Sequence, residues 1–234
     1  MQLTEKYQPR KIQDFVGLEK VKQALVPFAA NPYGSAWLFS GPTGVGKTSM
    51  ALALASEISK PEEEDARIQE FINTRNVYLV RTHSNKCNVD YVKRVGEELE
   101  LRVPMYGKWW FFIVDEAEEM TRAAQLEFLS VLQPIRRCAI FVFTCNPPAE
   151  VKKANGKVET VDKLEKRFRD RCNKLEFSSH GLRQDIARHL AYVWSQEAPQ
   201  APLPNFEQIA KDSQNSVRDA LRSLELRLLT LGTR

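Results

Sequence analysis

The sequence predicts an α/β fold in which a five-stranded parallel sheet is flanked by helices and followed by a small helical domain. Short, nearly continuous apolar runs alternate with amphipathic stretches, as expected for parallel strands that are buried on both faces. After Phe177 only helical patterns follow. A glycine-rich loop, Gly41–Thr48, separates the first apolar run from a helix rich in Ala and Leu. We therefore predict an α/β domain at 1–177 and a three-helix lid domain at 178–234.

The predicted elements follow from these apolar and amphipathic patterns. The strands are expected at Ala36–Ser40, Val77–Thr82, Trp109–Val114, Ala139–Thr144 and Lys174–Phe177. The helices of the first domain are expected at Leu18–Ala29, Lys47–Ser59, Val89–Leu99, Arg122–Leu132 and Val161–Arg167. The lid helices are expected at Leu182–Gln196, Asn205–Asp212 and Val217–Leu231, with a proline-rich segment between the first two.

The composition is that of an ordinary globular protein. Of the 234 residues, 43% are hydrophobic and 27% are charged, which argues against a disordered chain. The net charge of +4 permits a nucleic-acid partner without requiring one. Neither a signal peptide nor an apolar run of membrane-spanning length is visible, so we expect a cytoplasmic protein with no membrane partner. The cysteines are widely spaced, which predicts reduced thiols and no zinc site: Cys87, Cys138, Cys145 and Cys172.

Residues 41–48 read Gly-Pro-Thr-Gly-Val-Gly-Lys-Thr and match the phosphate-loop pattern G-x-x-x-x-G-K-[ST]. Glycines allow the backbone amides to turn toward a phosphate, and the positive end of the following helix faces the same anion. Lys47 is expected to reach the β- and γ-phosphates of ATP, and the Thr48 hydroxyl to bind Mg²⁺. The predicted nucleotide-binding residues of the loop are Gly41, Pro42, Thr43, Gly44, Val45, Gly46, Lys47, Thr48 and Ser49.

The apolar run Trp109–Val114 leads directly into Asp115 and Glu116. In open parallel sheets ligands bind beyond the carboxyl ends of the strands, so these carboxylates are expected beside the phosphate loop. We predict that Asp115 holds Mg²⁺ and that Glu116 orients and deprotonates the attacking water. An Asp-Glu pair also often simply ends a strand, but the upstream phosphate loop favours the functional interpretation.

Asn146 follows the next buried run, Ala139–Thr144. Its amide is suited to hold the attacking water beside the γ-phosphate. The alternative is that Asn146 only begins the turn before Pro147 and Pro148, which is a common role for asparagine. The spacing alone leaves both interpretations open.

Several segments, in order, resemble the sliding-clamp loader branch of the AAA+ ATPases, which includes replication factor C small subunits and the gamma/tau subunits of DNA polymerase III. Thr4-Glu-Lys-Tyr-Gln-Pro-Arg10 and Asp14-Phe-Val-Gly17 resemble the opening motifs of that family, with Gln8 where an arginine is usual. Ile113–Ala117 is similar to its extended acidic motif, Arg169–Cys172 to its S-R-C motif with Asp170 in place of Ser, and Ser216–Leu221 to its sensor-2 helix.

The resemblance implies roles for further residues. It places Asn146 at the sensor-1 position, Arg218 at the sensor-2 position and Arg171 at the arginine finger that acts on a neighbouring subunit. Arg167, one helical turn earlier, is the alternative finger. A third possibility is that both arginines simply belong to a solvated basic surface without a catalytic role. The adenine pocket is implied to include Tyr7, Pro9, Arg10, Val16 and Gly17. DNA contacts are implied for Lys93, Arg94 and Arg122.

The implied function is ATP-driven loading of a sliding clamp onto primer–template DNA, with ATP and Mg²⁺ as cofactors. Segment 60–75 contains no cysteine, so the zinc module of some family members is not expected. The partners would be other AAA+ subunits, the clamp and primer–template DNA. Because the sequence ends at Arg234, where the family's collar domain would begin, we expect assembly through the nucleotide-bridged interface. The alternatives are another DNA-acting AAA+ ATPase, such as a branch-migration motor or a helicase loader, and an ATP-binding switch or scaffold.

Overall fold

The computed structural model describes residues 2–59, 73–74, 77–101, 109–133, 135–152 and 158–230. Segment 60–75, apart from Asn73 and Thr74, lies outside the described residues, as does Leu231. The strands are β1 (Ser35–Ser40), β2 (Asn73–Thr74), β3 (Val77–His83), β4 (Trp109–Asp115), β5 (Ala139–Cys145), β6 (Ala149–Lys152), β7 (Val158–Val161) and β8 (Asn173–Glu176). The helices are α1 (Leu3–Lys6), α2 (Glu19–Ala30), α3 (Lys47–Ser59), α4 (Val89–Leu101), α5 (Arg122–Leu132), α6 (Lys166–Arg169), α7 (Arg183–Glu197), α8 (Phe206–Asp212) and α9 (Val217–Thr230).

The main sheet has the strand order β2-β3-β4-β5-β1-β8. The pairs β3–β4, β4–β5, β5–β1 and β1–β8 are all parallel, which confirms the predicted five-stranded parallel sheet. The two-residue strand β2 adds an antiparallel edge beside β3, and β6 with β7 forms a separate antiparallel hairpin. The sequence analysis predicted neither β2 nor this hairpin.

Both faces of the sheet are covered, which explains the continuous apolar character of its strands. Along β4, Phe111 and Ile113 pack with α2 and α3, whereas Phe112 and Val114 pack with α4, α5 and α6 on the opposite face. These four side chains are 3% exposed or less. Full burial of such a side chain contributes about 1.5–3 kcal/mol, so the alternation fixes the register of β4 strongly.

The strand order brings together the carboxyl ends of the three strands that precede the predicted site residues. β1 leads into the phosphate loop, β5 lies beside it, and β4 lies beside β5. Gly41 N donates to the Cys145 carbonyl across this edge at 3.2 Å. The predicted loop, acidic pair and Asn146 therefore share one crevice, as open parallel sheets generally arrange their ligand sites.

The helices α7, α8 and α9, which fall within the range 178–234 given to the lid, form a second core. Leu3, fully buried, packs into this core from the opposite end of the chain. The N-terminal residues, which the predicted domain boundary groups with the sheet, thus contribute to the lid. Within the described ranges, none of the helices combines the length and the apolar character needed to cross a bilayer.

One predicted helix, Val161–Arg167, differs in the structure. The chain leaves β7 at Val161, turns through 162–165, and is helical only over Lys166–Arg169. Asp162 Oδ1 accepts a hydrogen bond from Leu164 N at 2.9 Å, which stabilises the turn. Leu164 in the turn and Phe168 in the short helix are both buried, and both pack into the core of the sheet domain.

Candidate active site

The phosphate loop connects β1 to α3 and holds the Lys47 side chain over its own backbone. Lys47 Nζ donates to the carbonyls of Gly41 at 2.6 Å and Pro42 at 3.0 Å, and to Asn146 Oδ1 at 3.3 Å. Burial lowers the pKa of Lys47, and the nearby Arg218 cation acts in the same direction. A nucleotide phosphate would replace these neutral acceptors with anionic oxygens and favour the charged ammonium.

The predicted metal ligands lie in direct contact. Thr48 Oγ1 donates to Asp115 Oδ1 at 2.7 Å, and Thr144 Oγ1 donates to the same oxygen at 3.1 Å. Asp115 is only 4% exposed. A hydroxyl and a carboxylate oxygen are ligands that Mg²⁺ prefers, so these residues fit the cation that the fold implies.

Arg81, on β3, contacts the other oxygen of that carboxylate. Its Nε and one terminal guanidinium nitrogen both lie 2.8 Å from Asp115 Oδ2. The sequence analysis missed Arg81, although a cation at the carboxyl end of an otherwise apolar strand was a usable signal. The parallel sheet places that strand end beside Asp115.

Glu116 has left-handed backbone dihedrals, with φ of 57°. Its amide donates to Thr144 Oγ1 at 3.2 Å, which holds the turn in place. The carboxylate is half-exposed in the phosphate cavity, with its Oε2 3.8 Å from His83 Nδ1. A half-exposed carboxylate next to the phosphate loop is accessible to a water molecule, as a general base requires.

Asn146 is held by Glu118, a second residue that the sequence analysis missed. Glu118 Oε1 accepts from Asn146 N at 3.0 Å and from Asn146 Nδ2 at 2.8 Å. The amide oxygen consequently faces the loop, where Thr43 Oγ1 donates to it at 3.2 Å. This orientation favours the predicted water-holding role over a simple turn-forming role. Glu118 lies three residues after Asp115, so the acidic motif itself was the signal.

These side chains line one cavity of about 200 Å³, the phosphate cavity. Its lining comprises Thr43, Gly44, Gly46, Lys47, Thr48, Ser49, Arg81, His83, Asp115, Glu116, Glu118, Thr144, Cys145, Asn146 and Arg218. Arg218, at the start of α9, reaches it from the lid. Lys47, Glu116 and Asn146, which were predicted to be catalytic, thus line the same cavity as the two predicted metal ligands, Thr48 and Asp115.

A second cavity of about 250 Å³, the base cavity, lies between the loop, the N-terminal segment and the lid. Of the five residues implied for the adenine pocket, Tyr7, Pro9 and Val16 line this cavity, whereas Arg10 and Gly17 do not. Gly17 has φ of 60°, and a Cβ there would lie 2.3 Å from Leu182 of the lid, so this glycine permits close lid packing.

The lid contributes residues to the base cavity that the sequence analysis did not foresee. His189 of α7 and Val217 and Leu221 of α9 line it. Burial lowers the pKa of His189, which favours the neutral imidazole. The Tyr7 ring meets the imidazole edge-on at a centroid distance of 6.4 Å. No sequence pattern distinguishes this histidine from a surface residue of an amphipathic helix.

The predicted arginine-finger and DNA-binding residues lie outside both cavities. Arg167 and Arg171 are exposed on and after α6, and Lys93 and Arg94 are exposed on α4. Arg122 is exposed at the start of α5, where its Nε pairs with a Glu165 carboxylate oxygen.

A family model described as DNA polymerase III, delta subunit, matches residues 18–153, which is more than half of the chain. The chain belongs to the DNA polymerase III delta subunit family. This match and the curated relatives described below confirm the predicted membership of the clamp-loader branch of AAA+ ATPases.

Curated relatives of this delta-subunit-family protein include replication factor C subunits. It is 28% identical over 222 residues to replication factor C subunit 2 of Arabidopsis thaliana, covering 94% of this chain and 60% of that protein. It is 25% identical to the replication factor C small subunit of Methanothermobacter thermautotrophicus, covering 94% of this chain and 61% of that protein. The chain therefore spans about 60% of the length of these relatives.

Solved structures support the fold of this delta-subunit-family protein. A lysine-to-arginine mutant of Thermotoga maritima RuvB superposes with a TM-score of 0.67 at 18% identity, covering 98% of this chain and 68% of that one. The Thermotoga maritima RuvB Holliday junction branch migration motor superposes with a TM-score of 0.60 at 18% identity, covering 96% of this chain and 67% of that one. At this identity the likeness concerns the fold alone, and it confirms the predicted α/β fold with its parallel sheet, flanking helices and C-terminal helical region.

Proposed function

We propose that this chain is an ATP-hydrolysing clamp-loader subunit, which couples binding and hydrolysis of Mg²⁺-ATP to the loading of a sliding clamp on primer–template DNA. The observation that carries the proposal is the convergence of Lys47, Glu116 and Asn146 around one phosphate cavity. Membership of the delta subunit family supports the clamp-loading part of it. ATPase chemistry in general is supported by the AAA+ relatives.

The roles of the residues follow from their positions. Lys47 binds the β- and γ-phosphates, and Thr48 with Asp115 would hold Mg²⁺, which supplies charge neutralisation at the phosphates when bound. Glu116 takes the proton from the attacking water, and Asn146 holds that water by its amide oxygen. In this arrangement the chain's own groups orient the reactants, which is the main catalytic contribution in phosphoryl transfer.

The remaining roles depend on molecules other than this chain. Arg218 reports the γ-phosphate to the lid, and Arg171, or alternatively Arg167, is the finger supplied to a neighbouring subunit. Lys93, Arg94 and Arg122 contact DNA phosphates, which carry no sequence information.

All four cysteines are free thiols, which fits a reducing cytoplasmic compartment.

The proposal is tested by ATP turnover and ATP binding in two variants. Glu116→Gln should retain ATP binding and lose about 10²–10⁴-fold in hydrolysis, because only the base is removed. Lys47→Ala should weaken ATP binding itself, because its ammonium contacts the phosphates. Glu119→Gln is the matched control, since this nearby exposed carboxylate pairs with Lys163 and does not line the phosphate cavity. Parent-like turnover in Glu116→Gln would reject the site.

The substrate of the motor is tested by stimulation of the ATPase. A clamp loader is stimulated by clamp and primer–template DNA together. Stimulation by branched DNA without any effect of clamp would favour the branch-migration alternative. ATP binding without turnover under any of these conditions would favour the switch or scaffold alternative.

A further inference from the structure

The carboxylate of Asp115 is fully engaged by groups of this chain. Oδ1 accepts the hydroxyls of Thr48 and Thr144, and Oδ2 accepts the Nε–H of Arg81, with a terminal guanidinium nitrogen of the same ion pair also 2.8 Å away. Asp115 is buried, whereas the Arg81 side chain is 53% exposed and lines the phosphate cavity. A buried carboxylate needs compensation of its charge, and here a guanidinium that reaches in from the neighbouring strand supplies it.

The register of the sheet explains this contact. Arg81 lies opposite Ile113 on the neighbouring strand β4, two residues before Asp115. Side chains two residues apart in a strand project to the same face, so Asp115 and Ile113 both face α3 and the phosphate loop. The long Arg81 side chain spans the remaining distance along the sheet edge to Asp115 Oδ2.

We propose that Arg81 competes with Mg²⁺ for Asp115, so that the guanidinium compensates this carboxylate until the cation displaces it. This inference rests on the proposed function, because it assigns Asp115 and Thr48 to the metal. A divalent cation bound beside Thr48 and Asp115 repels a guanidinium 2.8 Å from Asp115 Oδ2. Arg81 therefore acts as a competitor of the cation, and its presence raises the Mg²⁺ concentration needed to fill the site.

Displacement of the guanidinium is easy for the rest of the molecule to accommodate. The Arg81 side chain is half-exposed and borders open cavity space, so it leaves Asp115 without disturbing the core. Bound nucleotide provides phosphate oxygens in the same cavity, which are alternative partners for a guanidinium. Metal and nucleotide together would thus favour release of Arg81 from Asp115.

The test measures metal binding directly and uses Mn²⁺ as a spectroscopic substitute for Mg²⁺. Free Mn²⁺ is counted by its paramagnetic resonance signal in the presence of the whole chain and one equivalent of a non-hydrolysable ATP analogue. Arg81→Ala should lower the Mn²⁺ midpoint about three- to tenfold, because a half-exposed ion pair is a modest competitor. An unchanged or raised midpoint would overturn the proposal.

Two further variants distinguish competition from a general effect of charge and from misfolding. Lys86→Ala removes one positive charge shortly after β3, from an exposed residue that does not line the phosphate cavity, and should shift the midpoint less than twofold. An equal shift in Lys86→Ala would show that only the electrostatic field matters and would overturn the competition. Arg81→Lys keeps the charge but cannot place two nitrogens beside Oδ2, and its midpoint should lie between those of the parent and Arg81→Ala. A midpoint at or above the parent's would also overturn it.

Failure of this inference is distinguishable from failure of the proposed function. If Lys47→Ala binds the analogue as tightly as the parent, the nucleotide site itself is wrong. If Lys47→Ala abolishes analogue binding while Arg81→Ala keeps the parent's Mn²⁺ midpoint, only the competition is wrong.

Discussion

The phosphate cavity and the basic segment around α6 differ in where their polar groups find partners. In the cavity, Lys47, Asp115 and Asn146 are each held by two or more hydrogen bonds from groups of the same chain. In the basic segment, Arg169 pairs with Asp162 at 2.5 Å, whereas Arg167 and Arg171 are exposed. A group held within the chain is positioned by the fold, while an exposed cation is available to a second molecule. The two regions should therefore respond differently to mutation and to assembly.

The largest effect should come from the exposed side of this comparison. Arg171→Ala should bind ATP normally and lose about 10³-fold or more in hydrolysis within assemblies, because the proposed finger would act on a neighbour's ATP. Mixing Arg171→Ala with Glu116→Gln protein should partly restore turnover, because some interfaces then combine an intact base with an intact finger. Turnover of the mixture, measured across mixing ratios, checks the prediction.

Arg167→Ala is the matched control for the finger. It removes the same charge one helical turn earlier, so it should leave turnover within assemblies close to that of the parent. The reverse pattern, with a parent-like Arg171→Ala and an inactive Arg167→Ala, would assign the finger to Arg167. Equal activity in both variants would contradict a finger in this segment.

An intermediate effect is expected inside the phosphate cavity, at the contact between Glu118 and Asn146. Glu118→Gln replaces one carboxylate that accepts two hydrogen bonds with an amide that can rotate. Turnover should fall about tenfold, because the orientation of the Asn146 amide is no longer fixed. ATP affinity and the melting temperature should stay close to the parent's, since neither depends on that orientation.

The readout for Glu118 is the separation of kcat from KM. A structural role alone would lower kcat, affinity and stability together. Glu119→Gln again serves as the control at a neighbouring carboxylate without a contact to Asn146. A tenfold weaker ATP affinity in Glu118→Gln would contradict the positioning role.

The smallest effect of mutation is expected in the base cavity, which is lined by the N-terminal segment, the phosphate loop and the lid. The folded pKa of His189 lies below its ordinary value of 6.5, because burial disfavours the charged imidazole. The unfolded chain therefore binds more protons as the pH falls from about 6.5 toward the folded pKa. The free energy of unfolding should decrease over that interval and level off below it.

Urea unfolding of the parent and of His189→Gln at pH 7.5 and pH 5.5 measures this contribution. The variant lacks the titrating group, so its stability should fall less on acidification than that of the parent. His180→Gln, at an exposed histidine, is the control and should retain the parent's pH dependence. An identical acid response in the parent and in His189→Gln would contradict the prediction.

The sequence predicted best what depends on contiguous residues or on strand ends. The phosphate loop is one segment, and Asp115, Glu116 and Asn146 directly follow buried strands, so sheet topology alone brings them together. Arg81, Glu118 and His189 were not predicted from the sequence, because their positions in the site depend on contacts between different helices and strands. A sequence pattern shows that β3 ends near a cation, but only the register with β4 shows that this cation meets Asp115. The Val161–Arg167 helix was wrong because β7 extends to Val161 and the Asp162 side chain then stabilises a turn before the short helix Lys166–Arg169.

The attachment of the chain's first residues to the lid has a mechanical consequence. Leu3 is buried in the lid core, and Tyr7 Oη and Lys6 Nζ both donate to Glu197 Oε1, at 2.6 and 2.5 Å. The lid is thus joined to the sheet by two tethers, one around residues 8–11 and one around 177–182. The base cavity is lined by the N-terminal segment, the phosphate loop and the lid, so a ligand that fills it contacts all three parts of the chain at once.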